Sequence, residues 1–328
     1  MSDIITIDGS IGEGGGQMLR TSLSLAAVYG RPFAMEKIRA KRPKPGLKRQ
    51  HLACVRAVAE ICGAKVAGDE VGSMALSFAP GAIRGGDYRF EIGTAGSATL
   101  VAQTVIPVLL KADGPSTVAI TGGTHVPFSP PWEFFERTYL PQLRAMGANV
   151  EAELVSYGFF PAAGGEIRLR IEPVAEAEAY SLAETGGYLG GKCVGVVSGI
   201  DRDIAESEVG IVIRKFPELA LATEVREVAS PGPGNYCIAQ LDYGNISVVF
   251  SEIGTFERSR KAVANAIVSQ VQRFLRAGAP VEEHLADQLL VPLEVLGIAG
   301  SSEFAIQSET EHYRTNKSVI AAFKPQGN

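Results

Sequence analysis

Residues 4–20 read Ile4-Ile5-Thr6-Ile7-Asp8-Gly9-Ser10-Ile11-Gly12-Glu13-Gly14-Gly15-Gly16-Gln17-Met18-Leu19-Arg20, an apolar strand, a glycine turn and the start of a helical pattern. Glycine tolerates backbone angles and close approaches that a side chain forbids, and N–H groups at a helix N-terminus attract anions, so the turn is a candidate phosphate site. A purely structural glycine turn is the competing reading. The stretch lacks the Gly-Lys-Ser/Thr ending of a Walker loop and the spacing of the dinucleotide fingerprint. Glu13 stands out, because a carboxylate facing a phosphate is repulsive unless a divalent cation lies between them.

Working outward, the pattern predicts strand 4–9, helix 15–29, strand 33–40, helix 47–62 and strands near 64–68 and 73–79. Residues 88–173 repeat this order: strand 88–92, turn Gly93-Thr94-Ala95-Gly96-Ser97, helix 97–110, strand 116–121, helix 131–146 and strands near 148–155 and 165–172. Gly12 and Gly93 lie 81 residues apart, and Gly63-Ala64-Lys65-Val66 precedes Gly147-Ala148-Asn149-Val150 by 84. That period is too long for a solenoid, so the chain is expected to be α/β (α+β), with repeated βαβαββ units whose helices cover one face of a small sheet. A partial third unit is expected at 281–328, with helix 282–297, strand 303–307 and helix 314–323. The intervening stretch reads as an inserted, smaller α/β domain, giving a core of 1–179 with 276–328 and an insert of 180–275.

The 328 residues are 46% hydrophobic, enough for a large core of about two domains. No stretch approaches the roughly 20 apolar residues of a membrane helix, and residues 1–5 lack the marks of a signal peptide, so a cytoplasmic protein without a membrane partner is expected. Cys54, Cys62, Cys193 and Cys237 form no Cys-x-x-Cys pair and read as buried thiols. A net charge of −5 argues against a protein that coats nucleic acid through bulk electrostatics. Locally, seven cations (Lys37, Arg39, Lys41, Arg42, Lys44, Lys48 and Arg49) occur without an acidic residue, broken by Pro43, Pro45 and Gly46. Cations on a stiff loop before a helix suit phosphate binding, with a solvated face as the alternative.

Four separated features stand in order: the first glycine turn, the loop from Arg39 to Leu47 with Arg49-Gln50-His51, the turn and helix from Gly93 to Gln103, and His312-Tyr313-Arg314-Thr315-Asn316. Together they resemble the RNA 3′-terminal phosphate cyclase family over essentially the full length. The resemblance implies a core of βαβαββ units with an α/β insert and an ATP-dependent reaction in three steps. A histidine attacks the α-phosphate of ATP, AMP passes to an RNA 3′-phosphate, and the 2′-OH closes a 2′,3′-cyclic phosphate. Adenylylation makes physical sense, because it turns a poor leaving oxygen of a phosphate monoester into AMP.

By the same resemblance His312 is the nucleophile, and Glu13 binds a divalent cation, Mg or Mn, that bridges the ATP phosphates. Arg20, Arg39 and Arg42 match phosphate-contacting arginines; Gln50 and Gln103 match polar residues of the nucleotide site. Pro130, Phe250, His284 and Asp287 occupy the positions of the adenosine pocket, His284 standing where a tyrosine is often found. Without the resemblance, His312 reads as a loop histidine and Phe250 as a core aromatic. His51 reads as a phosphate ligand or a helix cap, and His125 suggests no function. The expected partners are ATP and RNA with a 3′-phosphate end, recognised with little base readout; the oligomeric state is open, a homodimer being one option. Two rival readings are a non-catalytic relative acting in ribosome assembly and an enolpyruvyl transferase built from similar units.

Overall fold

Two four-stranded sheets share one strand order and one pattern of directions, as the duplicated sequence requires. In a computed structural model of the protein, residues 4–12 and 15–324 are described. The first unit runs β1 (Ile5–Asp8), α1 (Gly16–Tyr29), β2 (Phe33–Glu36), α2 (Arg49–Cys62), β3 (Lys65–Ala67) and β4 (Leu76–Ala79), with sheet order β1-β2-β4-β3. β1 and β2 are parallel, Ile5 lying opposite Phe33, while β4 is antiparallel to both its neighbours. A parallel pair needs a crossover, which α1 supplies.

The second unit runs β5 (Asp87–Glu91), α3 (Ala98–Leu109), β6 (Ser116–Gly122), α4 (Trp132–Phe134), a π-helical turn (Phe135–Tyr139), α5 (Leu140–Ala145), β7 (Val150–Ser156) and β8 (Gly165–Ile171). Its order is β5-β6-β8-β7, again parallel for the first pair and antiparallel for the rest.

Residues 181–277 hold β9 (Ser181–Leu182), β10 (Tyr188–Ser198), α6 (Arg202–Ile213), β11 (Ala222–Glu227), β12 (Gly234–Tyr243), β13 (Ser247–Ile253) and α7 (Arg260–Ala277). A third four-stranded sheet, β11-β10-β12-β13, is covered by α6 and α7. The final segment holds α8 (Glu283–Leu296), β14 (Glu303–Phe304) and α9 (Glu311–Phe323). β9 lies within the stretch expected as insert, yet it pairs in parallel with β14 of the final segment. A buried tie joins the third sheet to the second unit: His125 bonds Glu133 at 2.9 Å, Glu133 accepts from the Tyr236 hydroxyl, and the His125 and Tyr236 rings stack at 4.2 Å.

α1 sits at the centre of the helical layer, packed on α2, α3, α8 and α9. Leu23, Leu25, Phe33 and Phe78 are fully buried there, each side chain contributing about 1.5–3 kcal/mol from burial. Gly30 ends α1 in the left-handed conformation, φ 62°, with its N–H returned to Ala26 and Ala27.

Three local expectations differ from the structure. The strand expected over 33–40 stops at Glu36, because Lys37 and Arg39 take left-handed angles of φ 52° and 55° and turn the chain into a loop. The helix expected over 131–146 contains the π-helical turn. The last helix begins at Glu311 instead of 314, since the Thr310 hydroxyl accepts from Tyr313 N at 3.1 Å and caps it earlier. His312 therefore sits in the first turn of a helix.

Candidate active site

The N-terminus of α1 is where the chain brings its chemistry together. Crowding requires the glycine at position 16: a Cβ on Gly16 would strike His51 Nε2 and lie 3.2 Å from Arg20 Nη1. At Gly15 it would lie 3.4 Å from Arg42 Nη2 and 4.0 Å from His312 Cε1. Gly12, at φ +58°, is packed against the Thr315 hydroxyl of α9. Side chains from α1, α2, the basic loop and α9 thus meet around two glycines. Among the described residues, α1 has no side-chain cap at Gly15, so its first N–H groups are left for a ligand.

Gln17 connects His312 to Asp287. Its Oε1 lies 2.9 Å from His312 Nδ1, and its Nε2 donates to Asp287 Oδ2. With the amide nitrogen committed to the carboxylate, Gln17 presents an acceptor, so the network assigns the ring proton to Nδ1 and leaves Nε2 with a lone pair. Asn316 fixes the frame: its Nδ2 donates to the Asp287 carbonyl at 2.8 Å, and its Oδ1 accepts from Thr21 at 2.6 Å. Burial pushes the Asp287 carboxyl up to about 7, with Glu282 adding and His284 and Arg20 opposing.

Cations and a neutral donor gather at the same helix start. Burial lowers Arg20, Cys54 and Asp287 resisting. Lys48 N donates to His51 Nδ1 at 3.0 Å, so the proton of the His51 ring is on Nε2, the atom beside Gly16. Burial, aided by Arg20, Arg39 and Lys48, holds His51 down at about 3, which keeps it a neutral donor at physiological pH. His51 is thus both helix cap and candidate ligand. Arg39 is buried and spends Nη1 on the carbonyls of Lys44, at 2.7 Å, and Gly46, at 2.9 Å. It staples the loop that carries Arg42. An imidazole at a helix start that also gathers guanidinium groups can attack a phosphate, and such donors stabilise the charge that develops.

A family described as RNA 3′-terminal phosphate cyclase matches residues 11–326. The chain belongs to that family. It is similar to the RNA 3′-terminal phosphate cyclase of Pseudomonas fluorescens, at 44% identity over 98% of this chain and 93% of that protein. It is similar also to that of Ectopseudomonas mendocina, at 46% identity with the same coverage. Among solved structures, the enolpyruvyl transferase NikO of Streptomyces tendae aligns over 51% of this chain and 33% of that one, with 14% identity and a TM-score of 0.28, too slight a likeness to carry an argument.

The residues expected at the nucleotide end of the cyclase site are distributed unevenly. Gln50 Oε1 accepts from Ser97 N at 2.8 Å, joining the start of α2 to the second glycine turn. Gln103 Nε2 donates to Gln288 Oε1, and Gln288 Nε2 donates to the His284 carbonyl at 2.7 Å, tying α3 to the α8 turn that holds Asp287. The His284 side chain is 67% exposed. The Pro130 carbonyl accepts from Thr99 Oγ1 at 2.7 Å. Phe250 is buried, its ring 5.4 Å from that of Phe274 of α7, within the core of the third sheet. Glu13 lies outside the described residues, and among those described no group of three or more His, Cys, Asp or Glu could hold a metal ion. Sequence reasoning missed Gln17, Asn316 and Gln288. Gln17 carried a signal, as an amide in the first turn after a glycine run, whereas the other two needed the packing of α8 and α9 on α1.

Proposed function

We propose that this protein is an ATP-dependent RNA 3′-terminal phosphate cyclase whose nucleophile is His312 Nε2. The observation that carries the assignment is the Gln17 bridge, which orients His312 beside Arg42 at the uncapped start of α1. His312 Nε2 forms a bond to the α-phosphorus of ATP and the bond to pyrophosphate breaks. A 3′-phosphate oxygen of the RNA then takes the adenylyl group, and the histidine returns to its neutral form. The RNA 2′-OH attacks its own 3′-phosphorus, AMP leaves, and a 2′,3′-cyclic phosphate remains. Arg20, Arg42, the His51 Nε2–H and the α1 N–H groups hold phosphate oxygens through these displacements, while Gln17 keeps Nε2 aimed and unprotonated.

Pro130, His284 and Asp287 are proposed to flank the adenosine, with Gln103 and Gln50 acting through the contacts that position α3 and α8. Glu13 would hold a divalent cation, Mg or Mn, which would supply charge neutralisation on the phosphates. No helix among the described residues is long and apolar enough to cross a membrane, and we place the protein in the cytoplasm, with a homodimer as the state to be tested. Incubation with α-labelled ATP should label the protein with an acid-labile, alkali-stable bond, and His312→Ala should remove the label below detection. Label retained in that variant sinks the assignment of the nucleophile.

A further inference from the structure

Phe128 is fully exposed and has a left-handed backbone, φ 62°, a conformation that a bulky side chain adopts only where its surroundings hold it. The hold is visible. Ser129 Oγ donates to the Val126 carbonyl at 2.9 Å, and Thr99 Oγ1 fastens the Pro130 carbonyl to the first turn of α3 at 2.7 Å. Further back, Ala98 N donates to the Gly123 carbonyl and Gly123 N to that of Gly96, both at 2.8 Å. This loop is therefore anchored to the glycine turn whose Ser97 is bonded to Gln50, the neighbour of His51. A second exposed ring follows on the adjoining loop: Phe160 is 56% exposed, and its segment is sewn to the first by Thr124 N and His125 N donating to Gly158 O at 2.9 and 3.2 Å.

We propose that Phe128, with Phe160 beyond it, forms a stacking track for the unpaired bases at the 3′ end of the RNA substrate. The inference rests on the cyclase reading of the site. That reaction requires a single-stranded end whose phosphate reaches the start of α1, and the described residues gathered there, Arg20, Arg42, His51 and Gln17, offer donors and charge and no apolar aromatic face for the attached base. An exposed aromatic on a loop tied through Thr99, Ser97 and Gln50 to the residues beside His51 supplies one, and stacking accepts any base because every base has a π-face. The track gives hold on the RNA without sequence readout.

The test uses Phe128→Ala and Phe128→Trp in the full-length protein with a short 3′-phosphorylated oligoribonucleotide and with the same strand made abasic at its terminal nucleotide. Phe128→Ala should raise KM for the intact RNA about ten-fold with little change in kcat. The tryptophan variant should restore it, the abasic strand should show no difference between wild type and Phe128→Ala, and labelling of His312 by ATP alone should be unchanged. Loss of that labelling would assign the ring to the adenine of ATP and overturn the proposal, as would an equal defect on the abasic strand or no defect on either. Should the unmodified protein take no label from ATP, the cyclase reading fails; anisotropy with the two strands still decides the track, a difference in affinity confined to the intact strand sustaining it and equal affinities ending it.

Discussion

The two βαβαββ units make the same turn in opposite chemical styles. Between β2 and α2, residues 37–48 carry six cations and no carboxylate, whereas the corresponding stretch between β6 and α4, residues 123–131, has no lysine or arginine, three prolines and an exposed phenylalanine. The starts of the paired helices differ in the same sense. α1 begins at Gly15 without a side-chain cap, while Ser97 caps α3 by accepting from Leu100 N at 3.2 Å. One copy sets a basic loop beside a helix start that has no side-chain cap among the described residues; the other closes its helix end and offers apolar surface. Duplication has provided two frames of one geometry, and the difference in side chains divides recognition of a nucleotide into its charged and its flat parts.

The charged half should break most severely. Arg42→Ala is expected to lower kcat/KM for cyclisation by roughly 10²–10³-fold, the scale of losing one preorganised donor, with Arg42→Lys recovering only part because a point charge lacks the guanidinium fork. Titration with salt sharpens the contrast: Arg42→Ala should reduce the salt dependence of RNA affinity by about one ion, and Phe128→Ala should leave that slope as it is. Equal slopes for both variants would erase the division between the loops.

Gln17→Ala comes next, with adenylylation of His312 slowed by about 10–100-fold, the usual cost of removing a group that orients a catalytic or metal-binding histidine. The ring nitrogens provide the discriminating readout. Nitrogen-15 shifts of His312 should report the Nδ1–H form in wild type and a mixture in the variant; an unchanged tautomer would show that Gln17 only packs.

A further effect concerns stability. Asp287 titrates at about 7, above its ordinary 3.8. Between these values the folded chain holds a proton that the unfolded chain has released, so stability declines as pH rises through that window. Asp287→Asn should therefore be more stable than wild type at pH 8, by about 2–4 kcal/mol, and equal to it near pH 4, measured by urea midpoints. His51 has the opposite slope: its value of about 3 lies below the ordinary 6.5, so its contribution is lost as pH falls below 6.5. A wild-type advantage at pH 8 would mean that the buried carboxylate is paired better than its surroundings suggest.

Most of this architecture was legible in the sequence, because alternation in strands, apolar stripes in helices and glycines at turns act locally. β1, α1 and α2 fall within a few residues of expectation, and the repeat gave the second unit its order of elements. The site was legible as a set of residue types, and less so as a set of contacts. Arg39 looks like a phosphate ligand in the chain, yet backbone angles at Lys37 and Arg39 turn its guanidinium onto the loop's own carbonyls. Phe250 is an aromatic at an alternating strand position, and only the arrival of α7 decides which side buries it. The early start of α9 was available in Thr310, whose capping hydroxyl moves the helix boundary past His312.

The bond between Gln17 and His312 spans 295 residues. On a nascent chain the α1 turn comes early, the strands of three four-stranded sheets follow it, and the proposed nucleophile is missing until α9 has emerged and docked on α1. Fragments from interrupted synthesis, or from a protease cut ahead of α9, would retain the α1 turn while lacking the histidine proposed to react with ATP. Completion of the polypeptide is in this sense the licence for its chemistry.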